Sequence, residues 1–128
     1  FDEEKYGGVS MEDAPKKIPR SEWNYRLLIR LPDFIKDETV ESIKEQVYAK
    51  KQVSFIRNVE LFKTPAKKIV QMLHIGPFDQ EIETLMVLKE FIDKHGLGKG
   101  GPHHEIYLTD YRKTSPEKLR TILRETVL

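Results

Sequence analysis

The feature that most constrains the fold is an echo inside the chain. Leu31-Pro32-Asp33-Phe34 precedes one helical pattern and Gly76-Pro77-Phe78-Asp79 precedes another. Pro77 minus Pro32 gives an offset of 45 residues. Each copy reads as strand, proline break, helix, strand. Recurrence at such a period marks two copies of one supersecondary unit. Two such units predict an α+β fold: one antiparallel sheet with both helices on one face. Twist would leave the other face as an open, concave groove.

Local patterns place the elements. Trp23 to Leu31 alternates and predicts a central strand, ended by Pro32, which has no amide for a ladder. Val40, Ile43 and Val47 predict a helix from Asp37 to Lys51, capped by Asp37. Val53 to Phe62 reads as a second strand, Thr64-Pro65-Ala66-Lys67 as a hairpin turn, and Lys68 to Ile75 as a third strand that Gly76-Pro77 stops. Asp79 is expected to cap a second helix running to about His95. Its stripe is Ile82, Leu85, Leu88 and Ile92, widened by Met86 and Phe91, and Gly96 is its left-handed stop. Met72 and Met86 read as core. Gly96 to Gly101 is a flexible connector over one end of the groove. Thr114 and Glu117 have capping-box spacing but support only about one turn, and Thr121 to Val127 is the last strand. Residues 1–20 read as an irregular segment and residues 21–128 as the domain.

The candidate for chemistry is Pro102-His-His-Glu-Ile-Tyr-Leu-Thr-Asp110. Read as a strand, it turns Ile106 and Leu108 to one face, expected to be the core. His103, Glu105 and Tyr107 share the other. A glutamate buried there without a partner is costly. On a groove floor it would meet a polar or cationic ligand, and aromatic neighbours would raise its pKa for acid–base work. Trp23 and Tyr25 are candidates for stacking on a flat ligand, although strand parity leaves open which sheet face they occupy. His74 reads as a hydrogen-bonded histidine of the core or rim.

Composition narrows the classes. A net charge of +1 gives no field for nucleic acid or anionic membranes. No apolar run reaches membrane-spanning length, so a cytoplasmic protein is expected. The absence of cysteine removes disulfides and thiolate chemistry. His103 and Glu105 share a face but lack a third ligand, so no metal is expected, nor any other cofactor.

Four segments carry a resemblance: Ile29 to Phe34, Leu73-His74-Ile75-Gly76-Pro77-Phe78-Asp79, His104-Glu105-Ile106-Tyr107-Leu108-Thr109-Asp110, and Pro116 to Arg124. Together, and in this order, they resemble the GyrI-like small-molecule-binding family over about Trp23 to Val127. The resemblance implies paired strand–helix–strand–strand modules around a ligand groove, with Glu105 facing it. It implies hydrophobic, often cationic ligands. The stand-alone branch, which this chain resembles most, includes hydrolases that open cyclopropane rings of DNA-alkylating natural products. Phe78 stands where the family usually has Tyr, and Thr109-Asp110-Tyr111 where it has Ser-Asp-Pro. Family members also carry a further strand–helix–strand ahead of Trp23.

Two functions are therefore expected to compete for one groove. The first is binding of an amphipathic or aromatic, cationic small molecule, for sequestration or sensing, through Trp23, Tyr25, His74, Phe78, Glu105 and Tyr107. The second is hydrolysis of a strained electrophile, with Glu105 directing water and Tyr107 or His74 donating a proton. A third class is a protein-interaction module using an open sheet edge. The chain opens on Phe1 rather than Met. Upstream residues are expected, and with them pairing with an N-terminal fragment or with a second copy.

Overall fold

The computed structural model describes residues 3–9 and 13–128. The chain forms two compact units, Phe1–Thr64 and Pro65–Leu128. None of the described helices is long and apolar enough to cross a membrane.

The first unit contains helices α1 (Glu3–Tyr6), α2 (Ala14–Lys17) and α3 (Asp37–Lys51), with 3-10 turns at Arg20–Glu22 and Ser54–Asn58. The described part of the segment read as irregular thus holds two short helices. The bounds of α3 are those expected from its stripe, but Lys36 rather than Asp37 is the N-cap residue. Asp37 still places its charge in the first turn, where the helix dipole favours it. The helix packs against the 3-10 turn that follows it.

The strands expected at 23–31 and 53–62 do not form. Tyr25, Leu27 and Ile29 are largely exposed instead of filling a sheet. β-branched and aromatic alternation expresses a fit to a paired, half-buried surface. Among the described residues this segment has no ladder partner. Without a second strand before it, Thr64 to Lys67 is not a hairpin turn.

The second unit holds strands β1 (Lys68–Ile75), β2 (His104–Tyr107) and β3 (Arg120–Val127), and helix α4 (Glu81–Lys94). The protein is thus α+β with a small antiparallel sheet, ordered β1-β3-β2. This is one complete strand–helix–strand–strand module. The apolar, β-branched β3 takes the centre, where both its edges find partners. It pairs with β1 through Met72–Leu123 and His74–Thr121, and with β2 through Glu105–Leu123 and Tyr107–Thr121.

Helix α4 packs on β1. A 3-10 turn, Phe78–Gln80, leads into it, so Gln80 rather than Asp79 is its N-cap residue. Ile82, Leu85, Leu88 and Ile92 are buried or half-buried, as their spacing requires, whereas Met86 and Phe91 are exposed. Met72, on an edge strand, is also partly exposed, so neither methionine is core. The helix ends as a Schellman motif: Gly96 N–H donates to Asp93 O and Leu97 N–H to Ile92 O. Gly96 adopts φ +61°, the left-handed conformation this stop demands. Leu88, Leu119, Leu123 and Val127 are the buried apolar residues of the unit, and Leu123 is fully enclosed. Pro116–Lys118 is a single 3-10 turn, with Ser115 as its N-cap residue rather than a Thr114 capping box.

Candidate functional site

Register decides which side chains meet. Residues directly opposite in an antiparallel ladder share a face. Met72, His74, Glu105, Tyr107, Thr121 and Leu123 therefore lie together. Two side chains of α4 mark this as the helix face. Thr84 bonds to His74, and the Thr121 hydroxyl lies close enough to Glu81 to favour its ionised form. Glu105 thus lies on the helix-covered face, at its margin beside the start of α4. The expected helix-free floor is overturned. The alternation of β2 was read correctly, but its faces were assigned the wrong way round. Ile106 and Leu108 turn away from α4, and Leu108 is 47% exposed.

The margin is a cluster of ionisable groups. His103 Nδ1 is 2.6 Å from Glu125 Oε1, and its Nε2 is 3.6 Å from Glu105 Oε1, an ion pair rather than a hydrogen bond. Tyr107 donates its hydroxyl to Glu105 Oε2 at 2.5 Å. Burial opposes charge on His103 most strongly, yet Glu105 and Glu125 together outweigh it and push the imidazole up to about 9. His103 holds the Glu105 carboxyl below its usual range against the effect of burial, and Tyr107 helps. A raised Glu105 pKa was expected; the structure shows the reverse. Burial, and then Glu105, drive the Tyr107 phenol upward, so Tyr107 remains a donor.

The raised carboxyl is Glu81, the first residue of α4, where its charge also suits the helix dipole. Burial and then the charge of Glu105 push it up to about 7, against the opposing effects of His103 and Thr121. Its Oε1 is buried and has no hydrogen-bond partner among the described residues. The only signal in the sequence was a second acidic residue close behind Gly76-Pro77. Nothing local tied it to a strand 24 residues onward. Two carboxyls on one site with separated pKa values give one ionised group and one that exchanges a proton near neutrality.

An apolar cleft adjoins the cluster. Phe78 packs edge-on against Tyr107 at 5.8 Å and against Tyr111 at 6.4 Å between ring centroids. Phe78 and Tyr111, with Pro77, Thr114, Pro116 and Leu119, line an open cleft of about 410 Å³. Asp110 holds this loop by accepting from the Arg112 backbone N–H and guanidinium.

The remaining candidates fall elsewhere. His74 is buried, with Nδ1 3.0 Å from Thr84 Oγ1 and Nε2 3.1 Å from Pro77 O. The Pro77 carbonyl can only accept, so Nε2 carries a proton and donates to it. Both nitrogens brace the β1–α4 junction, leaving neither to meet a ligand. Trp23 and Tyr25 belong to the first unit. The Trp23 indole donates to Ile18 O at 3.0 Å, and Tyr25 is 76% exposed. His104 points to the opposite face, across from Arg124. No group of three or more metal-ligating side chains was found among the described residues.

The GyrI-like small molecule binding domain matches residues 20–124 of the chain. A hydrolase from Listeria innocua, of known structure, is 38% identical with a TM-score of 0.69, over 77% of this chain and 52% of that one. An uncharacterised conserved protein of the same organism is 40% identical with a TM-score of 0.71, over 77% and 50%. The chain thus spans about half the length of the solved structures it matches. None of the curated proteins compared with the chain matches it. With the family match covering most of the chain, and relatives of known structure sharing well over a third of its aligned residues, the chain belongs to the GyrI-like small-molecule-binding family.

Proposed function

We propose that the second unit binds an aromatic cation at the margin of α4, for sequestration or sensing. Its ring would lie in the cleft and its charge beside Glu105. The observation that carries this is an ionised carboxylate next to an aromatic-walled cleft. With His103 protonated, Glu105 and Glu125 leave the cluster at −1 even while Glu81 is neutral. Tyr107, Phe78 and Tyr111 offer ring faces and edges, each contact worth about 1 kcal/mol beyond the area it buries. The test is a fluorescence titration with ethidium, a planar aromatic cation of fixed charge. Binding is expected in the wild type and at least tenfold weaker in Glu105→Gln. Equal affinity in that variant would remove Glu105 from the site.

A second reading is hydrolysis of a strained electrophile such as an activated cyclopropane. It draws on the pairing of ionised Glu105 with protonatable Glu81, and on the hydrolase among the solved relatives. Glu105 would take a proton from the attacking water as its oxygen bonds to ring carbon. The breaking carbon–carbon bond would deliver its electron pair to the activating carbonyl, and Glu81 or Tyr107 would protonate that oxygen. Turnover that survives Glu105→Gln would exclude this assignment.

A further inference from the structure

Resting on the small-molecule reading, we infer that Glu81 is a second carboxyl of the ligand site and gives up its proton when a cation occupies the space beside Glu105. Glu81 is the first residue of α4, on the face shared with Glu105 and Tyr107. Its Oε1 is shut off from solvent and has no hydrogen-bond partner among the described residues, which is costly for a carboxylate and tolerable for a neutral acid. A buried oxygen without a partner, in a cluster where the others are paired, is where added positive charge has most effect.

The groups facing it are His103, Glu105 and Tyr107 on β2 and its approach, and Thr121 on β3. Within the ionisable cluster, His103 is held up near 9, Glu105 is held low and Tyr107 is held high. Glu81, at about 7, is the member left to exchange a proton between pH 6 and 8. A ligand cation would add to the pull of His103 and favour the ionised form. Loading becomes linked to pH: tight on the alkaline side of neutrality, weaker on the acid side.

The experiment is the ethidium titration at pH 6, 7 and 8, with proton release followed by an indicator dye in weak buffer. Wild-type affinity should rise about tenfold from pH 6 to 8, with about half a proton released per ethidium bound at pH 7. Glu81→Gln mimics the protonated acid. It should bind no tighter than the wild type does at pH 6, show no rise with pH, and release no proton. Thr121→Val removes the hydroxyl that lowers the Glu81 pKa, and should move the midpoint of the rise to higher pH. A rise that persists in Glu81→Gln, or a wild type that binds without pH dependence, overturns the inference while leaving the binding site in place. No ethidium binding at any pH overturns the small-molecule reading and this inference with it.

Discussion

Replacing His103 by glutamine tests the electrostatics of the cluster directly. The imidazole stands between Glu125 at 2.6 Å and Glu105 at 3.6 Å, with its side chain 25% exposed. Its pKa is pushed from 6.5 to about 9 on folding. A group raised in this way adds stability that is full below pH 6.5 and fades as the pH climbs through 9. At about 1.4 kcal/mol per pH unit the ceiling is about 3 kcal/mol. The useful window is pH 7.5 to 9.5, above the Glu81 titration and below that of tyrosine. Across it the wild type should lose about 2 kcal/mol, and His103→Gln should stay flat at the lower level. Urea unfolding should be followed at the β3 amide resonances, because the single tryptophan, Trp23, belongs to the other unit. A flat wild-type curve, or the same slope in the variant, would show that His103 is not the protonated bridge described.

Three more perturbations read other parts of the unit. Glu81 is raised from 4.5 to about 7 on folding, so it costs stability as the pH rises through 7. Glu81→Gln should therefore unfold at higher urea than wild type at pH 8, by about 1–2 kcal/mol once solvent screening of this half-buried group is allowed for, and show little difference at pH 4.5. Leu123→Ala empties the fully enclosed centre of β3 and should cost about 2–5 kcal/mol by urea unfolding; a loss under 1 kcal/mol would deny that this residue is the core. Gly76 adopts φ +142°, and a Cβ there would stand 3.4 Å from His74 Nε2. Gly76→Ala should lower stability by about 1–3 kcal/mol and shift the His74 ring resonances; unchanged His74 signals would deny the brace.

Much of the second unit was legible before its structure. β1 has the predicted bounds, Lys68 to Ile75, because alternation stops at Gly76-Pro77, where the proline has no N–H to extend the ladder. The stripe of α4 and its glycine stop were read from spacing and backbone sterics, which are local properties. The first unit divided along the same line. Helix α3 satisfies its own backbone and appeared where its pattern lay. The segments at 23–31 and 53–62 carried strand patterns but form no strands, since a strand needs hydrogen bonds from a partner remote in sequence.

The site shows the same division. Period two told which residues of β2 share a side, so His103, Glu105 and Tyr107 were grouped correctly. It held no information on which side α4 would cover. The pairing of β2 with β3, and the docking of α4, set Glu105 beside Glu81 rather than on open floor. His103 keeps Glu105 charged, while burial and then the charge of Glu105 leave the exchangeable proton on Glu81. A side chain's type and spacing are written in the chain, but its pKa depends on the charges and the loss of water around it, and only tertiary packing supplies those.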